Sequence, residues 1–594
     1  MTFLTGSALW SRPLLPLDET RYLAVAWEMQ TSGDYMVSHL NGETYAHKPP
    51  LLFWLINLAW TLGGVGEIAG RLVVPLISLL SVIMTDRIAR RLWPESELIA
   101  QSAAAVHCSS MIWMLLSTVT MFDTLLTLCV QIAIYGILQL ESEFRQPDAH
   151  TESNAEDRSS AGASGRFSKT LSFGTFLLGL GLGLGLLAKG PVVMIHVMPV
   201  AFGAGSWSTA VRTQTVRWLL QILKSIGLAA ALALSWVIPS AWSGGSEYSA
   251  ELLWGQTAHR MVNSFAHKEP FWWYLIVLPL IALPWLTIGA VWRSRRQELS
   301  MVNQASFSNP VLSTRLLTVW TGGSLLLLSM VSGKQIHYLM PIVPAIALLI
   351  AGRLVGGNNQ ILRSDLSFII GGTLFGGLLP LIFNLFPEIS AGRLAGVTSS
   401  WLSIPLCLCV VNLLFLRDRS VVNTVRQIAM SSVLFISLLV IGLKGNFWGE
   451  FDYSRLAVPV REFQAQNRTV GWIGEYAGQM HFCGRLEQPV EELMSEAETL
   501  RWLGETEKPV AVLRVFDPEI SLPPDRLAPL FPDDLKRVER SLLASESNLW
   551  PGYTARLLSG FWVRRGLSFG LMVIAEFEMN DQTKAEASQN QDAQ

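Results

Sequence analysis

Long apolar runs separated by short polar stretches fill most of the chain up to about residue 444. About twelve of them reach the roughly 20 residues that a transmembrane helix needs. They lie near residues 68–86, 98–117, 121–140, 170–187, 190–207, 218–240, 271–292, 311–332, 337–354, 366–386, 400–417 and 425–443. This pattern predicts a polytopic α-helical membrane protein. The shorter apolar run at 51–64 predicts either a span or a helix at the membrane interface.

Glycine and polar residues refine this picture in two places. The glycine ladder at 174–185 predicts close helix packing, because small residues let backbones approach. The segment 148–168 is polar and rich in small residues, which predicts a disordered cytoplasmic loop.

The composition becomes that of a soluble domain from about residue 445. Segments 468–476, 508–516 and 569–579 have the pattern of strands, and 453–466 and 490–505 have that of helices. We therefore predict four regions along the chain: an active-site loop with juxtamembrane helices (1–50), a transmembrane domain with a cytoplasmic loop near 141–169 (51–444), a small exported α/β domain (445–580) and a disordered tail (581–594).

Overall composition supports the membrane assignment and excludes other classes. Half of the 594 residues are hydrophobic, 15% are charged, and the mean hydropathy is +0.37. A net charge of -2 gives no reason to expect a nucleic-acid partner. The five cysteines form no disulfide framework and no CxxC metal motif. The first residues lack the basic and apolar regions of a cleavable signal peptide.

Basic residues set the orientation in the membrane through the positive-inside rule. One orientation places all the basic clusters between spans on the cytoplasmic side; these include Arg87, Arg90, Arg91, Arg145, Arg158, Arg212, Arg217, Arg293, Arg353, Arg363 and Arg426. It requires that 51–64 does not cross, and it places Asp18–Pro50 and the chain after Lys444 outside. An outward N-terminus without a preceding span is unusual, and it predicts a late start codon or the loss of a first helix.

Polar residues from distant parts of the sequence then meet at the outer membrane face. Ionisable groups near membrane spans are costly and commonly functional. We therefore predict an active site there, with candidates Asp18, Glu19, Arg21, Tyr22, His47, Lys48, Asp123, Lys189, His259, Arg260, Lys334, His337 and Tyr338.

This set suits group transfer from a lipid-carried donor. Exported enzymes cannot rely on nucleotide-activated substrates, so the expected donor is a polyprenyl-phosphate sugar. Breaking its anomeric C–O bond develops positive charge on the sugar and negative charge on the departing phosphate. Carboxylates suit the first charge and cations the second. The carboxylates are Asp18, Asp123 and Glu19; the cations are Lys48, Arg260, Lys189 and Lys334.

Several motifs match a known family. DETRYLAVAWEM, beginning at Asp18, is followed by GDYMVSHLNGETYAHKPPLLFWLI; LAKGP, HKEPFWWYL, ALPW and KQIHYLMP follow at 187–191, 267–275, 282–285 and 334–341. Over roughly residues 10–355 the chain resembles the GT-C glycosyltransferases of the aminoarabinose-transferase (ArnT-like) and protein O-mannosyltransferase group, and most of all their bacterial lipid A branch.

The resemblance implies a GT-C fold with about thirteen spans and a C-terminal periplasmic domain. It implies inverting transfer of one sugar from undecaprenyl phosphate to lipid A or lipopolysaccharide, in the bacterial inner membrane, at a site facing the periplasm. Asp18 would be catalytic, and Lys48, Arg260 and Tyr338 would contact phosphate; Arg21 and Tyr22 belong to the same motif.

One position departs from the family. The family has a Glu before Lys-Pro-Pro, and this chain has His47 there. Any metal or sugar contact that the family's carboxylate makes is therefore not predicted for this chain. Because imidazole can ligate a metal, a divalent ion also stays open as a cofactor.

Other interpretations remain. The acceptor could be a protein Ser/Thr or a polysaccharide, and a non-enzyme alternative is a lipid-linked sugar transporter or flippase. Transporters tend to carry ionisable groups near the midplane within repeated helices, whereas these groups gather at one face without an internal repeat. Single residues also have structural alternatives: helix capping for Asp18, Glu19 and Asp123, and membrane-interface anchoring for Lys48, Lys189 and Lys334.

Overall fold

The computed structural model describes residues 1–145, 172–252, 268–293, 310–356, 361–386, 400–414, 420–444, 446–515, 553–565 and 568–580. By its internal contacts the chain divides into two units. The first comprises Met1–Gly6, Ala46–Leu379 and Ser403–Leu438, and the second Ser7–Tyr45, Pro380–Leu402 and Leu439–Gln594. The predicted disordered loop at 148–168 and the tail at 581–594 lie outside the described residues.

Helices dominate the described chain. Up to residue 252 they are α1 (Thr2–Ser11), α2 (Asp18–Ser32), α3 (Leu51–Gly63), α4 (Glu67–Leu92), α5 (Glu97–Cys108), α6 (Met111–Leu116), α7 (Phe122–Arg145), α8 (Phe173–Lys189), α9 (Val192–Phe202), α10 (Ala204–Trp207), α11 (Thr209–Thr213), α12 (Thr215–Ser243) and α13 (Gly245–Ala250). They continue as α14 (Trp273–Ile281), α15 (Gly289–Arg293), α16 (Pro310–Met330), α17 (Val343–Gly356), α18 (Ser367–Leu385), α19 (Ser403–Leu414), α20 (Val421–Gly442), α21 (Asn446–Gly449), α22 (Ser454–Ala465), α23 (His481–Gly484) and α24 (Glu496–Glu505). Short 3-10 helices occupy Trp285–Thr287, Ile336–Ile342, Arg363–Leu366 and Ser400–Leu402.

Apolar helices of spanning length confirm a multi-pass membrane protein. Among the described residues, six stretches are long and apolar enough to cross a membrane: Glu67–Leu92, Phe122–Arg145, Thr215–Ser243, Ile336–Val355, Arg363–Leu385 and Val421–Gly442. Shorter apolar helices are α3, α8, α9 and α19. The 13 residues of α3 rise about 20 Å, less than the roughly 30 Å of a bilayer core. Because α8, α9 and α19 are also short, this length does not decide the question, and the non-crossing position of 51–64 stays a prediction.

Several of the predicted spans are interrupted helices, among them those at 98–117 and 271–292. The run at 98–117 forms α5 and α6, which are separated at Ser109 and Ser110. The run at 271–292 forms α14, a 3-10 turn and α15. It contains Pro279 and Pro284, and proline lacks the N–H that a continuous helix requires. Ser109 and Ser110 in the first run, and the two prolines in the second, stand near these breaks in the sequence, although the overall apolar length predicted continuous spans.

The first unit is built around close contact between α7 and α8. A Cβ placed on Gly181 of α8 would lie 2.5 Å from the backbone nitrogen of Ala133 on α7. The neighbouring face of α8 meets α12, where a Cβ on Gly183 would lie 2.7 Å from a methyl carbon of Leu232. The glycine ladder therefore packs against helices on two sides, as its spacing predicted.

Replacing Gly181 with Ala should destabilise the fold by about 1–3 kcal/mol, because the added methyl meets backbone that cannot turn away. Gly227 on α12 is the matched control, since a Cβ there meets nothing within 4 Å. Gly227→Ala should be neutral or stabilising by up to about 1 kcal/mol. Thermal unfolding of both variants in detergent measures the difference, and equal melting temperatures would contradict this packing.

The second unit carries a five-stranded mixed sheet. Its strands are β3 (Val470–Ile473), β4 (Glu491–Leu493), β5 (Val510–Val515), β6 (Tyr553–Arg565) and β7 (Ser568–Met579), preceded in the chain by the hairpin strands β1 (His39–Leu40) and β2 (Glu43–Thr44). The sheet order is β4-β3-β5-β7-β6. The pairs β3–β4 and β3–β5 are parallel, while β5–β7 and β6–β7 are antiparallel. Helix α22 contributes Leu456, Ala457 and Val460 to the hydrophobic core of this unit.

The strands predicted within 468–476, 508–516 and 569–579 and the helix within 453–466 are all present. The helix predicted over 490–505 is wrong in its first part, because Glu491–Leu493 forms the edge strand β4. The helix begins only at Glu496, where Ser495 and Glu498 form a reciprocal capping box. Strand β6 had no predicted counterpart.

The N-terminal segment Ser7–Tyr45 belongs to the same unit as this sheet. Helix α2 packs on α23, far away in sequence. The linear division of the chain at residues 50 and 444 stays a prediction, but the contacts group the predicted active-site loop with the C-terminal α/β domain.

A buried histidine in this unit predicts sensitivity to acid. His481 is 2% exposed, and burial lowers its pKa to about 4. Its Nδ1 lies 2.9 Å from the Tyr476 hydroxyl, and its Nε2 lies 3.7 Å from Oε1 of Glu28. Burial raises the pKa of Glu28, and the N–H groups of Gly42 and Asn41 partly lower it.

Because the folded pKa of His481 lies below the unfolded value, its contribution to stability is present above about pH 6.5 and is lost as pH falls toward 4. We expect a loss of about 2 kcal/mol at pH 5 relative to pH 7. Glu28 has the opposite sign and offsets part of this loss. His481→Gln should flatten the dependence, as measured by thermal unfolding at both pH values. An unchanged slope in that variant would contradict the assignment to His481.

Candidate active site

Asp123 is the centre of a charged cluster in the first unit. It lies in the first turn of α7 and is 2% exposed. Nζ of Lys189, the last residue of α8, donates to its Oδ1 at 2.5 Å. Nε2 of His337, in the 3-10 helix Ile336–Ile342, lies 3.8 Å from its Oδ2. The Asp123 carboxylate thus meets side chains up to 214 positions away in the printed sequence.

Two aromatic rings extend this cluster. Nζ of Lys189 lies 4.7 Å from the ring centre of Tyr338. Nζ of Lys48 lies 5.9 Å from the ring centre of Phe122, the residue before Asp123. We call Lys48, Asp123, Lys189, His337 and Tyr338 the Asp123 cluster. It combines two lysines with one carboxylate, of which Lys189 contacts the carboxylate directly, and this excess of positive charge suits the recognition of an anionic group such as phosphate.

Lys334 and His47 have other partners. Nζ of Lys334 donates to the carbonyl oxygens of Glu269 at 2.9 Å and Val331 at 2.6 Å. Burial lowers the pKa of this lysine. These hydrogen bonds favour a structural role for Lys334 that differs from the interface anchoring considered from the sequence, and its phosphate contact stays a prediction. His47 Nε2 lies 3.2 Å from Oε1 of Glu251. Among the described residues, no group of three or more His, Cys, Asp or Glu side chains is placed to hold a metal ion.

In the second unit, Asp18 is the first residue of α2. It is 44% exposed at the side chain, and its Oδ1 accepts from the Tyr22 hydroxyl at 3.0 Å and from Nη2 of Arg21 at 3.5 Å. Burial raises the pKa of Tyr22 well above its usual value, and the charge of Asp18 is the next largest cause. Leu17 precedes the helix with φ 78°, a conformation that costs a non-glycine residue about 1–3 kcal/mol. Asp18 is therefore oriented by its own helix and remains open to solvent.

Glu19 occupies a different environment from its neighbour. It is 0% exposed and forms a buried ion pair with Arg12. Its carboxylate also accepts from the backbone N–H of Leu15 at 3.0 Å. Glu19 thus fixes the turn before α2, a structural role different from the helix capping considered from the sequence, and its catalytic role stays a prediction.

Sequence reasoning missed two of these partners. Arg12 and Glu251 lie outside the matched motifs, and no periodicity connects Arg12 to Glu19 or Glu251 to His47. The only signal was charge in otherwise apolar surroundings. Arg260, His259 and His267 lie outside the residues that the structure describes.

Comparisons with known proteins agree with the fold and the motifs. Residues 47–146 match the family described as dolichyl-phosphate-mannose-protein mannosyltransferase. The chain is 97% covered by the crystal structure of ArnT from Cupriavidus metallidurans bound to undecaprenyl phosphate, with a TM-score of 0.68, 16% identity and 96% of that chain covered. The chain has the ArnT fold. The apo structure of the same ArnT gives a TM-score of 0.67 at 17% identity, with 97% and 96% of the two chains covered.

Proteins named as undecaprenyl phosphate-aminoarabinose transferases are similar to this chain in sequence as well. Undecaprenyl phosphate-alpha-4-amino-4-deoxy-L-arabinose arabinosyl transferase 1 of Sodalis glossinidius (strain morsitans) is 30% identical over 360 residues, which are 59% of this chain and 55% of the relative. The corresponding transferase of Edwardsiella ictaluri (strain 93-146) is 28% identical over 401 residues, 65% of this chain and 63% of the relative. The chain spans less than two thirds of either relative. The predicted resemblance to ArnT-like GT-C proteins is confirmed.

Proposed function

We propose that this protein is an inverting glycosyltransferase that moves one sugar from a polyprenyl-phosphate donor to lipid A. The donor class follows the undecaprenyl phosphate named for the ArnT relatives and bound in the ArnT crystal structure. The place of action would be the periplasmic side of a bacterial inner membrane.

The Asp123 cluster carries this proposal. Leaving from the sugar, the polyprenyl phosphate takes the electron pair of the broken C–O bond and gains negative charge. Lys48 and Lys189 can neutralise that charge. Each ammonium also lies near an aromatic ring, Lys48 at 5.9 Å from Phe122 and Lys189 at 4.7 Å from Tyr338. Asp123 holds Lys189 in place at 2.5 Å before the donor binds.

Asp18 takes the role of the catalytic carboxylate through the resemblance. If lipid A offers a phosphate, the attacking oxygen is already ionised near neutral pH, and Asp18 has to orient it and stabilise positive charge on the sugar. If the acceptor is a hydroxyl, Asp18 must also remove its proton as the new bond forms. Its 44% exposed side chain leaves room for either group.

The proposal is tested with purified protein in lipid, a labelled sugar on undecaprenyl phosphate, and lipid A as acceptor. We expect label in lipid A together with an equal amount of released undecaprenyl phosphate. Movement of the labelled donor across vesicles without a covalent product would instead establish the flippase alternative.

A protein acceptor is the second candidate, supported by the match of residues 47–146 to protein mannosyltransferases. Mass spectrometry of lipid A and of envelope glycoproteins, from cells with and without the gene, separates the two. Sugar found on protein Ser/Thr alone would replace lipid A as the acceptor.

A further inference from the structure

The β1–β2 hairpin of the second unit ends in a tight Asn-Gly turn. Asn41 has φ 58° and Gly42 φ 80°, and Leu40 pairs with Glu43 across the turn. Both central residues with positive φ define the turn type that Asn-Gly favours. The backbone N–H groups of Asn41 and Gly42 donate to the Glu28 carboxylate at 2.6 and 3.1 Å. The turn is therefore tied to α2, the helix that begins at Asp18.

The same asparagine also binds the C-terminal sheet. Its Nδ2 donates to the carbonyl oxygen of Val490 at 2.7 Å, and the N–H of Val490 donates to its Oδ1 at 2.8 Å. Val490 directly precedes the edge strand β4. A Cβ on Gly42 would lie 2.9 Å from Cγ of Pro489, so the turn and the strand entrance are in close contact. The amide of Asn41 thus pairs with the backbone as a neighbouring strand would.

Helix α2 has further contacts with this domain along its length. Nε1 of Trp27 donates to the carbonyl oxygen of Leu486 at 2.9 Å. The guanidinium carbon of Arg485 lies 5.5 Å from the Trp27 ring centre. Nearer Asp18, a Cβ on Gly478 would lie 3.1 Å from Cβ of Ala24. The position of α2 is consequently set by the C-terminal domain at several points.

We propose that Asn41 is a positioning residue: through it, the C-terminal α/β domain holds α2 in the orientation that places Asp18 for reaction. This inference rests on the proposed function for the role of Asp18. It assigns the C-terminal domain a part in catalysis without requiring that the domain touch substrate. A shift of about 1 Å at a reacting group can cost about 100-fold in rate.

Asn41→Gly tests this directly, because glycine keeps the positive φ and removes the two side-chain bonds. We expect kcat to fall about 10- to 100-fold with little change in the KM for the donor. Amide hydrogen exchange across α2 should accelerate, while exchange in β3 and β5 stays unchanged. Trp27→Phe, which keeps a smaller aromatic ring and loses the N–H, should move both quantities in the same direction by a smaller amount.

Asn467→Gly is the matched control, since Asn467 also has positive φ (57°) and is exposed in the same unit. It should leave kcat and α2 exchange unchanged. Wild-type kcat in Asn41→Gly, or unchanged α2 exchange, would overturn the positioning role while leaving the proposed function in place. If the wild-type protein transfers no sugar, the proposed function is wrong, and the role of Asn41 in catalysis is wrong with it. Faster α2 exchange in Asn41→Gly would then show a structural role for Asn41 only.

Discussion

Asp18→Asn abolishes sugar transfer, by at least about 100-fold, while the protein folds and inserts normally. The amide keeps the size of the side chain and can still accept from the Tyr22 hydroxyl and from Arg21. It loses the negative charge needed beside a cationic sugar and the capacity to take a proton. Initial rates with the polyprenyl-phosphate donor measure the effect, and near-wild-type rates would contradict the assignment of Asp18.

Glu19→Gln is the control for this result, because the two acids are adjacent and differ in environment. Glu19 is fully buried against Arg12, so its neutralisation weakens a buried ion pair. We expect less folded protein and a lower melting temperature, with activity per folded molecule largely kept. Loss of activity in folded Glu19→Gln would instead support the catalytic prediction for Glu19.

Lys189→Met has the second largest expected effect, since it removes a candidate phosphate contact and the partner of a buried carboxylate at once. Asp123 is 3% exposed at its side chain, and leaving such a charge unpaired typically costs about 3–5 kcal/mol. We therefore expect little folded protein and no transfer. Yield and melting temperature in detergent, with transfer by the surviving fraction, provide the measurement.

The double variant Asp123→Asn/Lys189→Met separates structure from chemistry. It removes both charges, so the cost of an unpaired carboxylate disappears and folding should recover. If Lys189 binds the donor phosphate, transfer remains absent from the refolded double variant. Restored transfer there would show that the pair acts only in folding.

Local patterns in the sequence were sufficient for most of the helices and for the C-terminal strands 468–476, 508–516 and 569–579. Apolar length predicts that a segment is helical, but it does not report where prolines interrupt it, as between α14 and α15. The start of α24 shows the same limit. Its capping box was readable at Ser495 and Glu498, yet the preceding strand β4 depends on pairing with β3.

For the candidate site, the motifs and the charge pattern named the residues of the Asp123 cluster but not their partners. Alternation of the spans predicted that Asp123, Lys189 and His337 lie at one membrane face. The 2.5 Å contact between Lys189 and Asp123, in contrast, depends on how α7 and α8 pack. The pairing of Asn41 with Val490 joins residues 449 positions apart. No local pattern encodes such a contact, which is why the C-terminal domain had no predicted function.

The mass of lipid A extracted from cells tests the central claim most directly. Cells expressing this chain should yield lipid A with an added mass equal to one sugar residue, and cells expressing Asp18→Asn should yield unmodified lipid A. The size of the increment identifies the sugar. The same increment in both strains would contradict catalysis by Asp18, and its absence from both would contradict lipid A as the acceptor.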